Sequence, residues 1–317
     1  MNARINGHQF NHIISYILSQ YETFAVCKKN QKTVFESLEK PSDFVVWADK
    51  PTMSFEKILW PNGQEMGQKK DRKMAFLGLA NCDAEALEKL LLEFDKTDLL
   101  PAKENILVMT TKCKQDENCF CQAFGKAKFQ YSDLHLQKKG QDFEIFGLTK
   151  IGEKILKETG IKNTSSLKID ELEPQDVQGI KAEELSAEID DKEKWSKYWD
   201  EISKNCFGCG ACSAVCPLCF CFRKDFQNDI DGGCKQCTKW DSCFSTSFSQ
   251  IQHHFDFRPT NKDRLYNWYH HKFDRAYFER KNFLCTGCGR CIKACPAYLN
   301  QYRIISHLVE KDDKQNK

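Results

Sequence analysis

The stretch 206–221, "CFGCGACSAVCPLCFC", places six cysteines in sixteen residues. Disulfides, zinc and iron–sulfur clusters are the three chemistries that could occupy so many thiols. The first four, Cys206, Cys209, Cys212 and Cys216, precede Pro217, and the pattern returns as Cys285, Cys288, Cys291 and Cys295 before Pro296. Both runs read C-x2-C-x2-C-x3-C-P, the spacing of bacterial ferredoxins. Three thiolates at intervals of three on a tight loop reach three irons of one cubane. The fourth points away and, in two-cluster ferredoxins, ligates the other cluster. The expected ligation of two [4Fe-4S] clusters is therefore crossed. One takes Cys206, Cys209, Cys212 and Cys295, and the other takes Cys285, Cys288, Cys291 and Cys216. Zinc sites instead use two separated C-x2–4-C knuckles.

A second constellation lies upstream: Cys82 in "FLGLANCD" and Cys113, Cys119 and Cys121 in "TTKCKQDENCFC". Four thiolates from two loops that follow strand-like runs could hold a third cubane. A structural zinc is the competing reading, because ligand count alone fits both metals. Cys219 and Cys221 sit close enough to the first run to be additional ligands. Cys234 and Cys237, spaced by two residues, could grip a metal together with Cys243, although their spacing decides nothing. Cys27, alone in its neighbourhood, reads as a buried thiol. His253, His254, His270 and His271 come in adjacent pairs, which point to different faces of a helix and so suit packing or surface roles better than joint ligation.

The chain has 317 residues, enough for two domains with separate cores. Its 47 basic and 45 acidic side chains leave a formal charge of +2, which gives no reason to expect nucleic acid or an anionic membrane as partner. The charge is uneven: residues 170–201 carry twelve acids against four lysines, whereas 253–317 carry thirteen Lys/Arg against seven acids. That pattern suits solvated faces or a docking surface of mixed sign. No run of 18 apolar residues is present and no signal-peptide pattern opens the chain, so a cytoplasmic protein without membrane insertion is expected. Disulfides do not persist in a reducing cytosol, which makes metal or cluster ligation the default for clustered cysteines.

Phe10, Ile13, Ile14, Ile17 and Leu18 recur at helical spacing. Strand-like runs at 43–49, 74–80, 105–111 and 142–148 alternate with helical patterns at 84–95 and 151–159. This alternation predicts an α/β domain over 1–160. Residues 161–191 are polar and acidic and read as a linker or a surface wrap. A helix over 192–205, with Trp195, Tyr198, Trp199 and Ile202 on one face, leads into the first cysteine run. The 69-residue separation from Cys216 to Cys285 is aromatic, basic and helical in spacing. It predicts a mostly α-helical, ferredoxin-like domain over 192–317 rather than a compact β-hairpin type. The fold class is thus α+β, an N-terminal α/β domain followed by a helical domain holding two clusters.

Taken in order, "SFEKILWPNGQEM", "FLGLANCDAEAL", "CKQDENCFC", "CFGCGACSAVCPLCFC", "KWDSCF", "FRPTNKDR" and "CTGCGRCIKACPA" resemble the iron–sulfur β subunit of cytosolic sulfhydrogenases, the bidirectional NADP-linked nickel–iron hydrogenases. They are also similar, less closely, to the corresponding iron–sulfur component of anaerobic sulfite reductase. The resemblance implies an electron-transfer subunit. Its partners would be a flavin/NAD(P)-binding subunit, together with the catalytic subunit of a hydrogenase or sulfur/sulfite reductase. It also implies clusters at both ferredoxin runs and a third at Cys82, Cys113, Cys119 and Cys121. Two departures stand out: "SQIQHHFDF" replaces a glycine-rich approach to Arg258-Pro259, and the Cys234/Cys237 pair is an addition. The chain has neither a G-x-G-x-x-G nor a G-x4-G-K-[ST] loop, so no catalytic residue is assigned. A zinc-stabilised interaction or assembly protein without a redox role is the alternative.

Overall fold

In the computed structural model, residues 1–46, 49–59, 71–97, 99–125, 131–164, 166–228, 234–251 and 255–310 are described, the side chains at 227, 228, 234 and 235 excepted. His253 and His254, and part of the stretches at 43–49 and 54–66, lie outside these residues. The chain divides into two compact units, Met1–Glu117 with Ala127–Pro174, and Asn118–Lys126 with Gln175–Lys317.

The first unit is built on a seven-stranded sheet. Its strands are β1 (Asn2–Ile5), β2 (Glu22–Lys29), β3 (Lys32–Ser37), β4 (Met74–Leu79), β5 (Ile106–Thr111), β6 (Leu134–Lys139) and β7 (Asp142–Gly147), in the spatial order β1-β7-β6-β5-β4-β2-β3. The pairs β2–β4, β4–β5 and β5–β6 are parallel, and the pairs toward both edges are antiparallel. Every residue of β4 and β5 is buried, as expected of parallel strands covered on both faces.

Helix α1 (Gly7–Gln20) starts at a capping box between Asn6 and Gln9 and buries Phe10, Ile13, Ile14 and Ile17. These pack with Ala75, Leu77, Leu107 and Met109, alternate residues of β4 and β5 and hence one face of the sheet. Each such side chain contributes about 1.5–3 kcal/mol by leaving water. Two further helices are α2 (Glu56–Leu59) and α3 (Asn81–Glu93), of which α3 packs on β4 and β5. Helix α4 (Lys150–Glu158) is capped by Thr149 and adds Ile155 and Leu156 to the α1 side.

The expected strand over 43–49 is not formed at its start. Pro41 fixes a 3-10 turn over Pro41–Asp43, and among the described residues of the stretch only Phe44 makes a bridge, to Cys27. Strands β1, β2, β3 and β6 go beyond the sequence reading.

The second unit is mainly helical, with α5 (Ala182–Asp190), α6 (Ser196–Asn205), α7 (Ala211–Ala214), α8 (Thr246–Ser249), α9 (Asn261–Tyr269), α10 (Ala276–Arg280), α11 (Arg290–Lys293) and α12 (Gln301–Val309). Strands β8 (Phe222–Asn228) and β9 (Cys234–Trp240) form an antiparallel hairpin between the cysteine runs. Helix α5 lies inside the stretch read as linker. It forms there because Leu185 and Ile189, one turn apart, are fully buried against the same core as Trp199, Tyr269 and Phe273. Between α9 and α10, His270–Arg275 adopts a π-helical turn, so the helix runs on with its side chains rotated relative to an α-helix.

Candidate metal centre

The two cysteine runs fold alike. Gly208 and Gly210 have φ of 64° and 73°, and Gly287 and Gly289 have φ of 63° and 79°. In each run the backbone N–H two residues after the first cysteine donates to its sulfur at 3.4 Å: Gly208 to Cys206 and Gly287 to Cys285. A short helix follows, α7 in the first run and α11 in the second, and carries the chain to the fourth cysteine.

The runs then exchange their fourth members. One small cavity is lined by Cys206, Cys209, Cys212 and Cys295, together with Phe244, Leu265, Trp268 and Tyr269. A second is lined by Cys285, Cys288, Cys291 and Cys216, with Phe120, Leu218, Trp268 and Lys272. Trp268 borders both. Burial pushes the Cys212 thiol up to about 12, and the sulfurs of Cys206 and Cys216 add to the shift. Cys285 is likewise pushed up to about 12 by burial, against the opposing influence of Lys272 and the Gly287 N–H. Cys291 is also driven well up by burial. Four cysteine sulfurs around one small space are the donor set that a thiophilic metal centre completes.

Lys272 is a residue that spacing could not reveal. Its side chain is 2% exposed, inside the second unit's core. The ammonium donates to Cys216 Sγ at 3.3 Å and to the Leu284 carbonyl at 3.1 Å, and it lies 5.2 Å from the Trp268 ring centroid. Burial disfavours its charge, but the sulfurs of Cys216, Cys219 and Cys285 outweigh that effect and hold its pKa above the ordinary lysine value. Asn261 is likewise silent in the sequence: its Nδ2 donates to the carbonyls of Ser203 and Cys206 and so ties α9 to the first run.

The upstream cysteines fall in different units. Cys82 sits in the first turn of α3, just after β4, and Cys113 follows β5, so both leave the C-terminal ends of neighbouring parallel strands. Cys119 and Cys121 belong to the second unit, on a segment that crosses the second run. There Phe120 N–H donates to Gly287 O at 2.8 Å, and Cys119 Sγ lies 3.9 Å from Cys288 O. Gln175 braces this segment by donating to Cys119 O and accepting from Gln122 N–H. A Cβ on Gly287 would come within 2.6 Å of Phe120 and Cys121 backbone atoms, and one on Gly289 within 2.4 Å of Asn118 O. Glycine at these two positions allows both the left-handed backbone and the close crossing.

Cys219 is buried beside Cys216, whose thiol is pushed well up by the Cys219 hydrogen bond and by burial. Cys221 and Cys243 are hydrogen-bonded to each other. Their mutual hydrogen bond lowers Cys221 to about 7 and pushes Cys243 well up. Cys237 is buried on β9 opposite Asp225. His271 is half-buried against Phe220, and its pKa is lowered to about 4, chiefly by desolvation, whereas His270 Nε2 pairs with Asp274 Oδ2 at 3.1 Å.

A family model for the 4Fe-4S dicluster domain matches residues 205–299. The chain is 27% identical over 264 residues to Sulfhydrogenase 2 subunit beta of Pyrococcus furiosus, covering 76% of this chain and 75% of that protein. No solved structure matches. Among the described residues, no helix is long and apolar enough to cross a membrane. The two matches bear out the resemblance drawn from the motifs, and the chain is similar to an iron–sulfur β subunit with a 4Fe-4S dicluster domain in its C-terminal half.

Proposed function

We propose that this protein is the electron-transfer subunit of a hydrogenase or sulfur/sulfite reductase complex. It would hold two [4Fe-4S] clusters by crossed ligation, at Cys206, Cys209, Cys212 and Cys295 and at Cys285, Cys288, Cys291 and Cys216. The observation that carries this reading is the exchange of Cys216 and Cys295 between the two cavities. Bound clusters supply one-electron storage over several irons at potentials that their surroundings set. The chain's own residues do the rest. Cysteine sulfurs hold the irons, and the amides of Gly208, Leu218 and Gly287 donate to sulfur. Phe244, Leu265 and Tyr269 keep water from the first cavity. A third cluster on Cys82, Cys113, Cys119 and Cys121 would extend the relay, and Cys219, Cys221 and Cys243 would act as accessory sulfurs beside the first run. The partners would be a flavin/NAD(P)-binding subunit on one side and the catalytic subunit on the other, in the cytoplasm.

The test is anaerobic purification followed by iron and acid-labile sulfide analysis and low-temperature EPR of Cys295→Ser. Crossed ligation predicts that the spectrum of the cluster nucleated at Cys206 changes. A change confined to the Cys285 cluster would refute it, and material without labile sulfide would end the redox reading altogether.

A further inference from the structure

The two cysteine runs are near copies, yet only one of their cavities contains a cation. Lys272 lines the cavity of Cys285, Cys288, Cys291 and Cys216, whereas among the described residues no charged side chain lines that of Cys206, Cys209, Cys212 and Cys295. Three features indicate that this placement is specific. The π-helical turn at His270–Arg275 directs the Lys272 side chain inward from a helix whose neighbours His270 and Arg275 stay partly in solvent. The ammonium is latched to the residue just before Cys285, because Leu284 N–H donates to Lys272 O at 2.9 Å while Lys272 Nζ donates to Leu284 O. Its third contact is Cys216 Sγ, the sulfur delivered from the other run. The ammonium's acceptors include a carbonyl and a sulfur, and a buried cation so placed is costly unless an anionic group shares its cavity. A four-thiolate iron–sulfur cluster is such a group, and it becomes more negative on reduction.

We propose that Lys272 tunes the cluster bound by Cys285, Cys288, Cys291 and Cys216, favouring its reduced state and setting its potential above that of the cluster on the Cys206 side. The inference rests on the electron-transfer reading. Lys272 acts through Cys216 by a charged hydrogen bond to its sulfur, and such bonds are among the means by which a protein sets cluster potential. The two sites, alike in ligand spacing, thereby become unequal, and an electron arriving in the protein settles on the Cys285 side.

The experiment compares Lys272→Gln, which keeps a donor but removes the charge, and Lys272→Arg, which keeps the charge, with wild type. Iron and labile sulfide are measured first. Wild-type protein lacking both would overturn the electron-transfer reading, and this inference with it. With clusters present, EPR-monitored redox titration reads each potential. In Lys272→Gln the reduced-to-oxidised ratio of one cluster at fixed ambient potential should fall about tenfold or more, equivalent to a drop of about 59 mV for a one-electron couple. The other cluster should move less, and Lys272→Arg should remain close to wild type. Potentials unchanged in Lys272→Gln with both clusters intact would overturn the assignment. If Lys272→Gln fails to assemble a cluster, wild-type protein grown on lysine carrying 15N only at Nζ decides the matter. Pulsed EPR should detect that nitrogen coupled to one reduced cluster, and its absence from both would refute the proposal.

Discussion

Replacing Gly287 by alanine tests the crossing of residues 118–125 over the second cysteine run. The backbone there is left-handed, which costs an L-residue about 1–2 kcal/mol. The new methyl would also sit 2.6 Å from Cys121 Cα, Cys121 N and Phe120 C, all backbone atoms that cannot rotate away. Relieving such overpacking costs about 1–3 kcal/mol. The same movement strains the Phe120 N–H to Gly287 O bond, itself worth about 1 kcal/mol. The clash and the strained bond, both relieved on opening, together lower the cost of opening the segment by about 2–4 kcal/mol, or roughly one and a half to three decades in opening equilibrium at 1.4 kcal/mol per decade. Hydrogen exchange measured by mass spectrometry on a peptide spanning 118–125 of the anaerobic holoprotein reads that opening directly. Gly208→Ala is the matched control. It has nearly the same φ, but its methyl would meet Asn261 Oδ1, the end of a side chain, and lies away from the crossing. Exchange over 118–125 should therefore accelerate in Gly287→Ala and stay at the wild-type rate in Gly208→Ala. Equal rates in wild type and Gly287→Ala would show that the segment does not cross where the geometry puts it.

Two further outcomes follow from burial. Trp199 is fully buried between Tyr266 and Tyr269, so Trp199→Ala should cost about 3–5 kcal/mol in chemical denaturation. Its indole N–H has no hydrogen-bond partner among the described residues, so Trp199→Phe should cost much less, and comparable losses in the two variants would contradict this account. His135 is buried on β6, with Nδ1 2.9 Å from Thr110 Oγ1, and burial lowers its pKa to about 4. Since the folded value lies below the unfolded value of about 6.5, the unfolded chain takes up the proton first as pH falls. Stability should therefore drop by up to about 3 kcal/mol between pH 6.5 and 4 and change no further from this group below 4. Urea midpoints should lose this share of their pH slope in His135→Leu, and an unaltered slope would count against it.

What could be read from the sequence divides according to how local its cause is. The ferredoxin runs were legible because their turn is coded within eleven residues, by cysteines at fixed intervals and glycines between them. The β4, β5 and β7 strands and the α1 and α4 helices were legible because burial imposes a period on the sequence. Other features depend on distant residues. The run at 43–49 is apolar enough for a strand, but Pro41 bends its approach and leaves Phe44 as a single bridge. Residues 182–190 are acidic enough for a linker, yet Leu185 and Ile189 find a hydrophobic surface supplied by α12 and the His270–Arg275 turn. The place of Lys272 depends on a helix register that no spacing rule gives. Cys119 and Cys121 meet the second run only because two glycines more than 160 residues later admit their backbone.

The repeat also shows what two equal motifs can become in unequal surroundings. The first run lies near solvent: Cys209 is exposed and Phe207 is 71% exposed. In the second run Cys288 and Cys291 are buried, Lys272 supplies a cation, and the Cys119–Cys121 segment passes over it. Trp268 borders both cavities. On the electron-transfer reading these facts give the relay an order. Exchange with an outside partner is easiest at the Cys209 edge, because electron transfer falls steeply with distance and that is where a ligand reaches the surface. The Cys285 side, buried and beside a positive charge, retains the electron. If that order is right, a bulky substitution at Phe207 should slow exchange with a soluble redox mediator and leave the potentials of both clusters in place, whereas Lys272→Gln should do the reverse. The two perturbations act on different terms, access and driving force, and a result in which both variants changed the same quantity would mean that the sites are not arranged in this sequence.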